Sequence, residues 1–218
     1  MKKTAIIGAS GFVGTAILKE ALDRGHQVTA IVRNPEKIET VHPNLTVKKG
    51  DAFNEAEIAG LVAGHDVVIS AYNGGWTNPD LYNDFLKGSL TIEAAVKQSG
   101  VKPFIVVGGA GSLYITPELQ LVDTPQFPEA YKPGATAARD YLNELRKEEE
   151  LEWTFVSPAI EMSPDTSGVR KGTYRTGLEH PVFDEHGRSV LSVEDLAVVI
   201  IDELETPKHI RQRFTAAY

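Results

Sequence analysis

An apolar run at residues 4–7 (TAII) passes without a break into Gly8-Ala9-Ser10-Gly11-Phe12-Val13-Gly14. Three glycines at a fixed spacing, between a strand-like run and a helical pattern, leave few folds open. Gly8 is placed to make a tight turn, Gly11 to let the backbone approach a phosphate, and Gly14 to let the helix pack closely on a sheet. The helix N-terminus then offers free N–H groups and a positive dipole end to an anion. Ser10, Phe12 and Val13 belong to the same cradle. The alternative is a glycine-rich turn that holds no ligand.

The same letters resemble a secretory leader, since two lysines precede an uncharged stretch at 4–18. A leader ends in a small-x-small cleavage site, whereas this stretch runs straight into Lys19, Glu20, Asp23 and Arg24. Phe12, Val13, Ala16, Ile17 and Ala21 moreover recur at helical spacing, the buried stripe of an amphipathic helix. The expectation is a soluble chain that keeps its N-terminus, with no segment long and apolar enough to span a bilayer.

Downstream, short apolar runs at 28–32, 45–47, 67–71 and 104–107 are continuous rather than alternating, as in parallel strands buried on both faces. Helical patterns lie between them, near 35–39, 55–62 and 79–99. The last has Asn78 as its N-cap, Pro79 in its first turn and Gly100 as its stop. Strand–helix alternation of this kind predicts an α/β fold with a doubly wound parallel sheet, Rossmann-like, in a single domain spanning 1–218. Past the fifth run come a proline-rich stretch, a helix at 135–150, a sixth strand at 153–156, an irregular stretch with a turn at 184–187, a helix at 193–204 and a closing strand at 213–216. The second half is expected to form a small C-terminal substrate lobe, with 109–133 and 157–189 as loops covering the site, because long loops in compact domains are usually functional.

The end of the second strand selects the dinucleotide. An acidic residue there binds the ribose hydroxyls of NAD, but this chain reads IVRNP, with Arg33 and Asn34. A planar guanidinium suits a 2′-phosphate, so NADP(H) is favoured over NAD(H); an ordinary surface arginine is the alternative. Asp51 and Ala52, in GDAFN after the third run, are candidates for the adenine edge, or Asp51 caps the helix that begins near Asn54. Ala71, Tyr72 and Asn73 end the fourth run, where the Asn73-Gly74-Gly75 turn leaves room for a cofactor to cross. Trp76 beyond them either walls the site or packs.

Composition narrows the partners. The net charge of −8 argues against nucleic acid and anionic membranes, which need basic surfaces. No cysteine is present, which excludes disulfides, thiolate metal sites and cysteine nucleophiles and makes a cytoplasmic setting the expectation. His180 and His186, with Glu179, Asp184 and Glu185, fit no metal motif, and no metal is expected. A small-molecule acceptor is the expected partner, and no oligomeric state follows from the sequence.

GASGFVG, VRNP, GDAFN, VVGGAGSLY, WTFVSPA and EDLAVVIIDELETPKHIRQRFT together resemble the atypical short-chain dehydrogenase/reductases. Within that group the likeness is to the proteins called NADH-flavin reductases, relatives of biliverdin reductase B and of NAD(P)-binding redox sensors. The resemblance covers essentially the whole chain. It implies an NADP-type cofactor in an extended groove and a flavin-like or quinone-like acceptor, such as FMN, over the nicotinamide. Gly109, Ala110, Pro158 and Ala159 would border that nicotinamide.

Typical members reduce carbonyls with a Tyr-x-x-x-Lys pair, in which a phenol protonates the developing alkoxide. None of the seven tyrosines here has a lysine four residues on. The chain also has Ala159 where biliverdin reductase B is expected to carry a histidine, and Ala110 in place of its serine. Ser112, Tyr131 and Tyr174 are the remaining candidates to supply a proton or a stacking wall. The function expected is NAD(P)H-dependent hydride transfer to a flavin-like or quinone-like acceptor. Its rivals are a non-catalytic NADP(H)-binding redox sensor and a sugar-nucleotide epimerase-like protein.

Overall fold

The apolar runs become strands because helices cover both faces of the sheet they form. In the computed structural model, which describes residues 1–218, the chain runs β1 (Lys3–Ile7), α1 (Phe12–Asp23), β2 (Gln27–Val32), β3 (Leu45–Lys49), α2 (Glu55–Val62), β4 (Val67–Ser70), α3 (Leu81–Ser99) and β5 (Pro103–Val107). A hairpin follows, β6 (Tyr114–Thr116) and β7 (Leu119–Gln120), then α4 (Lys132–Leu145), β8 (Glu152–Ser157), β9 (Arg175–Gly177), α5 (Val193–Glu205) and β10 (Gln212–Ala217).

The main sheet has the order β3-β2-β1-β4-β5-β8-β10-β9. Every neighbouring pair is parallel except β9 with β10. This is the doubly wound arrangement, and the chain reverses its direction of winding between β1 and β4. Ligands bind beyond the carboxyl ends of the strands at such a switch point. On one face α1 and α5 pack Ile17, Leu18, Leu196 and Ile200 against Ile6, Val28 and Phe214. On the other, α2, α3 and α4 pack Ile58, Ile92 and Tyr141 against Ala5, Val68 and Phe104.

Helix ends follow local chemistry. Asn54 Oδ1 accepts from Glu57 N at 3.2 Å to start α2, and Ser192 Oγ accepts from Asp195 N at 3.0 Å to start α5. Gly100 closes α3 in the left-handed region, φ 81°. Asn78 does not cap α3: its Oδ1 accepts from Asp80 N in a turn, and the helix starts at Leu81. The helix near 35–39 shrinks to a single 3-10 turn, Pro35–Lys37. α4 spans Lys132–Leu145 instead of 135–150, with Pro133 inside its first turn, where no N–H is needed.

The two long loops meet where Tyr114 N donates to Glu179 O at 2.9 Å and His180 Nδ1 lies 2.7 Å from Tyr114 O. Residues 109–133 fold against α4. Most of 157–189 crosses instead over α1 and α5: Gly168 N donates to Glu194 Oε1 (2.8 Å), Arg170 pairs with Glu20 (2.7 Å), and the Lys171 and Gly172 amides donate to Asp195 (2.9 and 2.8 Å). The chain then adds β9 to the edge of the sheet.

Candidate functional site

Gly8 ends β1 with φ +82°, a conformation that a side chain disfavours. A Cβ on Gly14 would stand 2.1 Å from the Gly8 carbonyl oxygen, so α1 approaches the β1 turn as closely as only glycine permits. A Cβ on Gly11 would meet nothing nearer than Gly8 O at 3.4 Å. The space in front of Gly11 is thus open, while the other two glycines are packed against backbone. Gly11 is the N-cap of α1 and brings no capping side chain, and no acidic residue occupies the first turn. The first helical bond is Thr15 N to Gly11 O, 2.9 Å. The amides of Phe12, Val13 and Gly14 have no acceptor within the helix, as for any helix start. Donors, a dipole end and missing bulk together fit the phosphates of a dinucleotide. Ser10, Gly11, Phe12 and Thr15 also share a cleft of about 440 Å³ with Ser167, Val193 and Glu194. The last three were not legible as site residues: the path of 163–168 places Ser167 there, and the packing of α5 beside α1 brings in Val193 and Glu194.

Arg33 and Asn34 are exposed at the end of β2, and the Arg33 guanidinium makes no hydrogen bond or ion pair. Asp51, at the end of β3, accepts from Phe53 N at 3.0 Å through Oδ1 and is otherwise exposed, with Ala52 buried behind it. Asn54, not Asp51, caps the helix. Ala71 and Tyr72 follow β4. The Tyr72 ring stacks on Phe85, with centroids 6.2 Å apart, and its hydroxyl donates to Asp84 O at 3.1 Å. Burial pushes the Tyr72 phenol up to about 12, Asp84 and Asp51 add to the shift, and the Arg33 charge opposes it. Arg33, Asp51 and Tyr72 therefore share one corner. Asn73 turns the chain, its Oδ1 accepting from Gly75 N at 2.7 Å.

At the ends of β5 and β8 the walls are small or apolar. Gly109 and Ala110 are half-buried, and Pro158 and Ala159 are buried. No ionisable side chain belongs to this set. Two of the three expected hydroxyl donors are corrected here. Ser112 is 1% exposed, and its Oγ accepts from Arg213 Nη1 at 3.2 Å and donates to Gly109 O at 3.4 Å, so it faces the interior. Tyr174 donates to Asp202 Oδ2 at 2.6 Å, and Asp202 also pairs with Arg24, the C-cap of α1, at 2.6 Å. A helix the length of α1 separates that point from the glycine loop by about 18 Å. Burial, then the hydrogen bond to Asp202, raises the Tyr174 phenol further above its usual range. Tyr131 stays at the margin of the site, 54% exposed, its ring edge-on to Trp76 with centroids 5.4 Å apart. Arg213 went unnoticed in the sequence. A single charge inside the apolar run RFTAA was its signal.

A family model described as NAD(P)H-binding matches residues 8–207, from the first glycine to beyond α5. The chain belongs to this NAD(P)H-binding family. Its fold is that of an atypical short-chain dehydrogenase/reductase. A solved structure from Bacteroides thetaiotaomicron, provisionally named an epimerase, is 49% identical with a TM-score of 0.92 and covers 100% of this chain and 97% of its own. One from Streptococcus pneumoniae, provisionally named an NADH-flavin reductase, is 40% identical with a TM-score of 0.85 and covers 100% and 99%. Another, from Burkholderia pseudomallei and provisionally named an exported protein, is 43% identical with a TM-score of 0.88 and covers both chains in full. The Bacillus subtilis protein YwnB is 36% identical over 98% of this chain and 97% of its own. The chain spans only about half of larger relatives such as cinnamoyl-CoA reductase 2 of Medicago truncatula, 24% identical over 73% of this chain and 54% of that enzyme. No helix is long and apolar enough to cross a membrane.

Proposed function

We propose that the protein binds NADPH along the carboxyl ends of its strands and passes hydride to a flat acceptor, a flavin first and a quinone second. The observation that carries this reading is the proposed nicotinamide end: Gly109, Ala110, Pro158 and Ala159 offer backbone and small walls, and none of the four carries an ionisable group. A bound reduced nicotinamide supplies the hydride. A flavin or quinone ring delocalises the incoming charge, so the chain has only to position the two rings and exclude water. Reduction of an isolated carbonyl would need a proton donor, and sugar-nucleotide epimerisation would need the missing Tyr/Lys pair. The name of the Streptococcus relative agrees with the reading; that of the Bacteroides relative does not.

Gly8, Ser10, Gly11, Phe12, Val13 and Gly14 hold the pyrophosphate through amides and the helix dipole. Arg33 and Asn34 take the 2′-phosphate, the guanidinium being free to do so. Asp51 and Ala52 face the adenine, and Ala71, Tyr72 and Asn73 line the crossing to the nicotinamide half. A cytoplasmic setting, where NADPH is available, fits this use. Stopped-flow NADPH oxidation against a panel of flavins and quinones tests the proposal. Oxidation on addition of flavin supports it. Tight NADPH binding with no oxidation by any acceptor would make the protein a redox sensor instead.

A further inference from the structure

Two large rings stand at the outer end of the site with more than half of their surface in solvent: Trp76 is 58% exposed and Tyr131 54%. Two exposed aromatic rings in contact beside the proposed site are informative in a way that a lone surface leucine is not. Neither ring is loose. They meet edge to face at an interplanar angle of 82°, the geometry that ring quadrupoles favour. Trp76 comes from the loop after β4, and Tyr131 directly precedes α4, so the contact bridges the carboxyl end of the sheet.

The height of this pair above the site can be read along α4. Gly134 and Ala138 lie one turn apart on one face of that helix. Trp76 Cζ3 is 3.0 Å from the point where a Gly134 Cβ would stand, and Ala138 Cβ is 3.5 Å from the matching point on Gly109. The indole therefore sits about one turn, roughly 5.4 Å of axial rise, beyond the Gly109 backbone. Over that interval α4 presents only small residues, all buried: Gly134 lies against Trp76 and Leu81, Ala135 against Gly111 and Ala138 against Gly109. The result is a seam of small residues that rises from the Gly109 backbone to an L-shaped aromatic corner, whose two rings keep their outer surfaces in solvent.

We propose that Trp76 and Tyr131 form the outer wall of the acceptor subsite and stack on a flat conjugated ring of the isoalloxazine type. This rests on the functional reading above and gives it a specificity element. An aliphatic carbonyl or a sugar has no π-face and gains little from such a corner. A tricyclic ring covers it, one face against the indole and one edge toward Tyr131.

NADPH oxidation with riboflavin and FMN is compared for wild type, Trp76→Ala, Tyr131→Ala and Trp76→Phe. The expected result is a rise of about tenfold in flavin KM for Trp76→Ala, the size of one aromatic stacking contact, with NADPH affinity by calorimetry unchanged. Trp76→Phe, which keeps a ring, recovers most of the loss. A second reading needs no turnover. Trp153 is buried at 3% exposure, so Trp76 is the accessible one of the two tryptophans. With NADP⁺ present, riboflavin quenches a saturable component of wild-type emission that Trp76→Phe lacks. Turnover with unchanged KM in both alanine variants, or no saturable quenching of Trp76, overturns the wall. Quenching without any NADPH oxidation supports the stacking site and overturns the reductase reading alone.

Discussion

Arg213 Nη1 donates to Ser112 Oγ across 3.2 Å, joining the last strand to the loop that leaves β5. The same nitrogen reaches Ser157 Oγ at 3.5 Å, at the end of β8. Nη2 pairs with Glu179 Oε2, on which Arg146 Nη2 also bears at 2.9 Å. One wholly buried guanidinium thus ties together the strand ends and loops that border the proposed nicotinamide site. Burying a cation is costly, and the partner carboxylate and two serines offset that cost only while all are present.

Arg213→Met should therefore destabilise the fold even though methionine fits an apolar interior. The loss should be about 1–2 kcal/mol, from hydrogen bonds lost to Ser112 and Ser157, because Glu179 is partly exposed and keeps Arg146 and so is not left as a stranded buried charge. Urea unfolding would show a lower midpoint at an unchanged slope. An unchanged midpoint would mean that the cluster contributes nothing net.

The same cluster predicts an acid response. Burial alone would raise the Glu179 carboxyl, but the hydrogen bond and charge of Arg213, with Arg146, hold it below the usual value of 4.5. A group whose folded pKa is depressed adds stability above its unfolded pKa, and that stability is lost as pH falls through the folded value. Glu179→Gln should then be less stable than wild type at pH 7, with the gap closing as pH drops below about 4.5. A gap that stays constant with pH would show that the charge of Glu179 is not what holds Arg213.

What could be read in the sequence follows from how much of each signal is local. β1, β2, β4 and β5 stood out because both faces are covered, which makes runs such as VVIS and PFIVV almost wholly apolar. β3, at the sheet edge, reads LTVKK with no buried residue and is not the doubly covered strand that its short apolar run suggested. The glycine loop stood out because its constraint is contained within seven residues. β6, β7 and β9 are two or three residues each, too short for any period, and they exist because the chain's path brings them alongside partners. Tyr174 illustrates the limit. Its ring could have turned toward the cofactor or away, and the choice was made by Asp202, 28 residues downstream.

Tyr174→Phe and Ser112→Ala should leave flavin-dependent NADPH oxidation within about twofold of wild type, while each costs on the order of 1 kcal/mol of stability through a lost hydrogen bond. Stopped-flow traces beside thermal melts would separate the two effects. A large fall in turnover with an unchanged melting temperature would return either hydroxyl to the chemistry.

The glycine loop gives a paired test. Gly14→Ala drives a Cβ into the Gly8 carbonyl, so the fold itself should suffer, with a melting temperature lowered by several degrees or poor soluble yield. Gly11→Val meets open space within the protein and should keep wild-type circular dichroism. Its branched side chain would nevertheless fill the approach to the helix N-terminus and abolish cofactor binding by calorimetry. If Gly11→Val binds NADPH normally, the open side of the loop is not a phosphate cradle.

The choice between cofactors turns on Arg33. Its side chain is exposed and commits its charge to no carboxylate, unlike Arg24, Arg139, Arg146, Arg170, Arg188 and Arg213, which are all paired. A free guanidinium is ready to meet a phosphate without first breaking an ion pair. No acid at the end of β2 competes for it or receives the ribose hydroxyls of NADH. Wild-type protein should accordingly bind NADPH more tightly than NADH. Arg33→Ala should remove most of the difference, about 1.5–3 kcal/mol for a charge-assisted contact, or at least tenfold in Kd. NADH affinity should change little, because that cofactor carries nothing for the guanidinium to grip. The wild-type preference should also weaken as salt is raised, since Arg33 meets its phosphate at the protein surface. Equal affinities for the two cofactors in the wild type would remove Arg33 from its assigned role.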